Sequence, residues 1–180
     1  NQTDTSVDIE ILLRGSDKTG TAPKTAPKIA ELLKSVGLTE TQGTVDITYT
    51  PNHGYVSPST CYIYQDDEKR SITGAMADMK IEGTVGEAAK ATFTVQGFTL
   101  PAPVIETNPT VTLDSNSLMI VSKITAVTLA GTVLNITKFE LSLNNELKLD
   151  YATAMSEFVR KDFAPTIKLT GIKTKGDLTA

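Results

Sequence analysis

One segment, Thr25 to Gly37 (TAPKIAELLKSVG), carries the full set of local signals for a helix. Thr25 is placed to cap the orphan amides of a first turn, and Pro27 sits where its missing N–H costs nothing. Ile29, Leu32, Leu33 and Val36 recur at the i, i+3, i+4, i+7 spacing of an apolar stripe, while Lys28, Glu31, Lys34 and Ser35 fall elsewhere on the wheel. Gly37 follows the last stripe residue, where a left-handed conformation closes a helix, and Leu38 is placed for the accompanying apolar contact. The spacing predicts a helix over 26–36. A helix of about three turns is marginal alone in water, so its stripe needs a surface to lie on. The rest of the chain reads as strand or loop, and that surface is therefore a β-sheet.

The strands announce themselves by alternation. Val7 to Leu13 sets Val7, Ile9 and Ile11 against Asp8 and Glu10, and Gly43 to Tyr49 sets Val45, Ile47 and Tyr49 against Thr44, Asp46 and Thr48. The tip Asn1–Ser6 is polar, Gly15 to Lys24 reads as a connector into the helix, and Pro51 is expected to end the second strand. After the loop Asn52–Ser59 comes a strand at Cys61–Gln65, a charged turn at Asp66, Asp67, Glu68, Lys69 and Arg70, and separate strands from Ser71 and over Met76–Gly83. Lys90 to Phe98 places Phe93 and Val95 on one face and Thr92, Thr94 and Gln96 on the other. Leu100 to Pro109 holds three prolines, which excludes a central strand and reads as an internal crossover over 100–109. Further strands are expected near Met119–Val127, Val133–Leu143 and Ala164–Thr174, with a turn at Asn144-Asn145; Tyr151–Val159 reads as a short helix or a loop. Strands at roughly ten-residue spacing suggest a mainly β sandwich or barrel with one flanking helix, formed by residues 1–180 as a single domain.

The chemistry-bearing residues are few. A net charge of −4 provides no basic footprint for nucleic acid or an anionic membrane surface. Cys61 is the only cysteine, which excludes an intrachain disulfide, and its alternating surroundings read as a plain buried thiol rather than a nucleophile. His53 is the only histidine and lies in a proline-flanked loop, the pattern of an exposed loop residue rather than of a catalytic pair. Asp66, Asp67 and Glu68 lack the alternating register and turn glycine of a calcium loop. Asp46, Asp78 and Asp114 are not paired by the sequence as acid and base, and there is no phosphate-binding glycine loop. Tyr49, Tyr55, Tyr62 and Tyr64 gather around one loop, but without tryptophan they read more economically as core and interface packing than as a sugar platform. No run approaches the ~20 apolar residues of a membrane span, and no segment reads as a signal peptide. No catalytic, cofactor or metal site is expected, which moves weight toward assembly.

In their order along the chain, APKIAELLKSVGLTET, GTVDITYTP, CYIYQDDEKRSITGAMADMKIEGTVGEAAKATFTVQG, ITKFELSLNNELKL and APTIKLTG resemble the tail tube proteins (major tail proteins) of long-tailed phages and prophages. The resemblance runs from about Val7 to Gly171, and the order of these stretches carries it rather than any one of them. It implies a non-enzymatic subunit that assembles into stacked rings of six around a tape-measure protein, bounded by tail terminator and tail-tip proteins. It also implies that the inner sheets of neighbours join into one barrel through which DNA passes without specific binding, and that assembly takes place in the bacterial host cytoplasm, with no membrane partner. An acidic chain suits such a conduit, since it offers phosphates little to adhere to. Asn52, His53 and Tyr55 in the loop, and Asp66, Asp67, Glu68, Lys69 and Arg70 in the charged turn, are the expected subunit or ring contacts. Against the resemblance, the chain begins at Asn1 rather than Met and is expected to lack part of the family's N-terminal region. Two alternatives share the architecture: the tube protein of a type VI secretion system or contractile tail, and a virion β-sandwich that binds carbohydrate or receptor through Tyr55 or Tyr62.

Overall fold

The structure, a computed structural model, describes residues 3–14, 26–44, 46–54, 56–99, 102–110, 118–121, 128–129, 132–133, 136–150 and 157–171. Along the chain the elements are β1 (Thr3–Leu12), α1 (Ala30–Ser35), β2 (Leu38–Gln42), β3 (Ile47–Pro51), β4 (Ser59–Gln65), β5 (Glu68–Thr84) and β6 (Lys90–Thr99). There follow β7 (Val104–Ile105), β8 (Thr128–Leu129), β9 (Thr132–Val133), β10 (Ile136–Ser142), β11 (Asn145–Asp150), β12 (Glu157–Phe163) and β13 (Thr166–Gly171). The molecule is mainly β, as the alternation predicts, and all of its strand pairs are antiparallel. No helix among the described residues is long and apolar enough to cross a membrane.

The 17-residue β5 is the spine of a seven-stranded sheet. Along one edge it pairs with β6 from Ile72 to Glu82 and with β7 at Glu68 and Lys69. Its other edge is shared between β4, which pairs with Glu68–Ala75, and β10, which pairs with Lys80–Thr84. β1 lies outside β6 and β13 outside β10, giving the path β1-β6-β5-β10-β13. The charged turn proves shorter than its sequence suggests. Only Asp66 and Asp67 turn, at φ 52° and 60°, a left-handed pair that suits a two-residue hairpin and that aspartate tolerates. Glu68, Lys69 and Arg70 already belong to β5, and the strands expected from Ser71 and over Met76–Gly83 are one strand interrupted by a bulge. Gly74 (φ 58°) makes that bulge, where pairing with β6 slips between Thr73 and Met76. Gly97 lies opposite, and its missing side chain leaves room for the displaced backbone: a Cβ there would stand 2.6 Å from Ile72 Cγ2 and 2.9 Å from the Thr73 carbonyl oxygen.

Paired residues share a face, so the register sorts the sheet into two. One face carries Val7, Ile9 and Ile11, then Ala91, Phe93 and Val95, then Ala77 and Met79, and is covered by Ile29, Leu32, Leu33 and Val36 of the helix and by Leu38 and Tyr49 of the β2–β3 hairpin. The predicted stripe is thus the docked face, although α1 proper covers 30–35 rather than 26–36. The chain at Lys28–Ile29 is a turn closed by the Ala30 amide donating to the Pro27 carbonyl at 2.9 Å, and no side chain caps the helix; Thr25 lies outside the described residues. Ser35, placed by the wheel among the solvent-facing residues, is buried and donates to the Leu32 carbonyl at 2.7 Å, which removes the cost of its burial. Gly37 takes the expected left-handed conformation, at φ 95°.

Three further expectations change. The run Gly43–Tyr49 is split, because the Gly43 amide bonds the Asp46 carbonyl at 2.8 Å and closes a turn; β3 starts at Ile47, and its partner β2 was not visible in the alternation. Pro51 ends β3, as expected. Asn144 alone makes the later turn (φ 52°), and Asn145 opens an unforeseen strand, β11. Within Tyr151–Val159, residues 157–159 are neither helix nor loop but the start of β12, whose Phe158 packs with Met76, Phe98, Leu147 and Leu149 on the sheet face opposite α1. Of Met119–Val127, only 119–121 are described, with Leu118 and Ile120 in isolated bridges to Arg14 and Ala88; residues 122–127, 134–135 and 172–174 of the other late strands, and 15–24 of the connector, lie outside the described residues. Gly97→Ala should lower unfolding stability by about 1–3 kcal/mol, because the bulge backbone has to shift; urea denaturation of both proteins measures it.

Candidate assembly surface

The β4–β5 hairpin tip is rigidified by a neighbour that the sequence did not point to. The Glu106 amide donates to the Asp67 carbonyl at 2.9 Å, Lys69 Nζ meets Glu106 Oε2 at 2.6 Å, and the Tyr64 hydroxyl donates to Glu106 Oε1 at 3.3 Å. The hydrogen bond with Glu106 holds the Lys69 ammonium above the usual lysine range, and the same contact holds the Glu106 carboxyl below the usual carboxylate range. Lys69 also lies 4.7 Å over the Tyr62 ring, and Arg70 and Glu68 approach at 3.8 Å. The proline-rich crossover therefore contributes an edge strand, β7, which leaves Val104 58% and Ile105 89% exposed beside the half-exposed Tyr62.

The loop residues are gathered elsewhere, at the end of α1. The Asn52 amide donates to the Gly37 carbonyl at 2.9 Å, and the Asn52 side chain accepts from the Gly54 amide at 2.8 Å. His53 stacks obliquely on Phe163, with ring centroids 5.2 Å apart and planes at 59°. Arg160 organises this corner: its guanidinium donates to the carbonyls of Asn52 and Val36 and lies 5.3 Å over the Phe163 ring. Burial pushes its pKa down. A side chain at Gly37 would collide with Arg160, so this glycine is required by space as well as by its backbone. Tyr55 lies outside the described residues. No described hydrogen bond, ion pair or ring contact joins Asn52 and His53 to the Asp66–Arg70 group, and the sequence-predicted contact residues form two sites. Arg160, Phe163 and Glu106 were missed because their partners are 37 to 124 positions away in the chain, beyond any local pattern.

A third surface emerges from the sheet itself. On the face opposite α1, the register lines up Asp8, Thr94 and Asp78; then Glu10, Thr92, Lys80 and Ser142; then Lys90, Glu82, Glu140 and Lys168. Lys90 bridges Glu82 at 2.9 Å and Glu10 at 3.2 Å, Lys80 meets Glu140 at 3.1 Å, and Lys138 meets Glu82 at 3.6 Å. The hydrogen bond with Lys90 draws the Glu82 carboxyl below its ordinary range, and the bonds from Glu82 and Glu10 raise Lys90. These ammonium groups are already answered by carboxylates on the same wall. Burial pushes the Cys61 thiol up and away from the thiolate, and no group of three or more His, Cys, Asp or Glu residues placed to hold a metal ion exists among the described residues.

Because its folded pKa is depressed, the Glu106 contact is present above the ordinary glutamate range and is lost as pH falls through the folded value. A side-chain NMR titration should find Glu106 ionising below an unpaired glutamate (about 4.3) and Lys69→Met returning it to that range.

A family model described as phage tail tube protein matches residues 3–179, nearly the whole chain. No curated protein matches it. The match agrees with a mainly antiparallel β-fold whose notable surfaces are edges, a hairpin and a charged wall. The chain belongs to the phage tail tube protein family, whose members are structural components of the virion tail that self-associate into a tube.

Proposed function

We propose that this protein forms hexameric rings that stack into the conduit for phage DNA, with the Lys/Glu/Thr face of the sheet turned toward the channel. The observation that carries this reading is the pairing within that face. A DNA channel must be hydrated without binding phosphate, and isolated lysines on its wall would bind it by releasing counterions. Here Lys80, Lys90 and Lys138 each meet a carboxylate within 3.6 Å, and Asp8 and Asp78 add negative charge on the face that also carries Lys168. The wall is charge-compensated rather than uniformly acidic, and it offers phosphates no surplus of positive charge.

In this reading residues 1–180 are one tail-tube domain, with 100–109 as its crossover. The hairpin tip at Asp66–Arg70 and the loop at Asn52 and His53 meet neighbouring rings or subunits. Partners follow from the role: a tape-measure protein in the growing tube, a terminator at one end and tip proteins at the other, assembled in the host cytoplasm. The chemistry is passive and needs no enzyme activity or cofactor. A glycan platform at Tyr62 is the poorer reading, since the Lys69 ammonium 4.7 Å over its ring occupies a face a sugar would need. Sedimentation velocity with negative-stain microscopy over a range of concentrations tests the proposal. Annular particles of six subunits, or tubes, are the expected result; a strict monomer at every concentration would contradict it.

A further inference from the structure

We infer that neighbouring copies join by a parallel pairing of β1 in one copy with β13 in the next, an inference that rests on the self-assembly reading and specifies its contact. Five antiparallel strands lie on the path β1-β6-β5-β10-β13, so the first and last run in the same direction. Copies related by rotation about a ring axis keep their strand directions along that axis. The outer edge of β1 therefore meets the outer edge of β13 with both chains pointing the same way, even though every pair within a subunit is antiparallel. Among the described residues neither outer edge has a partner strand, and β1 keeps an unbroken register with β6 from Thr3 to Leu12, leaving a straight edge without proline or bulge.

Side chains agree with this join on both faces. Val7, Ile9 and Ile11 project to the α1 side from β1; Ile167 and Leu169 project to the same side from β13, where they are 71% and 40% exposed. Joining the edges extends the apolar face of one sheet over the uncovered apolar residues of the next. On the other face β1 presents Asp4, Asp8 and Glu10, and β13 presents Lys168. A two-fold contact would set β1 against β1, with carboxylates facing carboxylates, or β13 against β13, with Lys168 facing its own copy; like charges across strands destabilise. The mixed contact sets acids against a lysine, and a mixed contact is the kind that generates rings.

Cysteine pairs in a Cys61→Ser background read out the direction. Positions Asp8, Glu10 and Leu12 are each combined with Thr166, Lys168 or Thr170, all on the polar face, and the assembled protein is oxidised. A parallel join produces disulfide-linked ladders only for pairs that advance together, such as Asp8→Cys with Thr166→Cys and Glu10→Cys with Lys168→Cys. Ladders for pairs that advance in opposite senses, Asp8→Cys with Thr170→Cys together with Leu12→Cys with Thr166→Cys, would overturn the inference. So would the absence of ladders in a protein that sedimentation shows to be assembled, an outcome that leaves the tube reading standing. A protein that never assembles overturns both.

Discussion

The constraint on which the rest depends is the hydrogen-bonding demand of β5. A strand of 17 residues presents backbone groups on both edges, and each buried group needs a partner. One edge is met by β6 and β7. On the other, β4 leaves at Ala75 and β10 arrives only at Lys80, so Met76–Met79 would be orphaned in the middle of the sheet. Asn145 fills the gap. Its side-chain amide donates to the Ala77 carbonyl at 2.9 Å, its backbone amide to Asp78 Oδ1 at 2.9 Å, and the neighbouring Leu143 amide to the Met79 carbonyl at 3.0 Å. Asn145 and Leu143 thus reach two β5 carbonyls that neither β4 nor β10 meets.

This contact also sets where the helix goes. Asn145 donates a second bond to the Val36 carbonyl at 2.8 Å, and Arg160 reaches the same oxygen from β12. The C-terminus of α1 is therefore held by two donors from distant strands, one of them cationic and so favourable at the negative end of the helix dipole. The Asn52 loop follows, tied to Gly37 and Arg160. Sheet, helix and the β11–β12 hairpin meet at one corner, and both faces of the sheet at that end are covered: one by the helix stripe, the other by Phe158 against Met76 and Phe98.

How much of this could be read from the chain depended on the range of the cause. The β1 and β6 alternation and the helix stripe are local, and each took the expected face. The bulge at Gly74 is local too, yet strands were expected separately from Ser71 and over Met76–Gly83, because a glycine within a strand pattern does not by itself tell a bulge from a break; its partner Gly97 does. β2 and β11 were missed because LTETQ has one apolar residue and NELKLD only two, Leu147 and Leu149, too short an alternation to stand out beside the adjacent turns. The surroundings of the expected contact residues were legible only in part. Asp66 and Asp67 were legible as a hairpin tip, but the anchor Glu106 sits in a proline-rich stretch that excluded only a central strand and gave no sign of a short edge strand, and nothing near Asn145 or Arg160 foretells partners more than sixty positions away. The overall acidity suggested an acidic conduit wall; the register instead shows lysines and acids interleaved on one face, a distinction net charge cannot make.

An electron cryo-microscopy reconstruction of the assembled protein decides whether the face bearing Glu10, Lys80, Glu82, Lys90 and Glu140 is the inner wall of the tube. This face is expected to line the channel, with α1 and the β2–β3 hairpin at larger radius. A tube in which α1 faces the axis and the Lys/Glu ladder lies on the outer surface would contradict it.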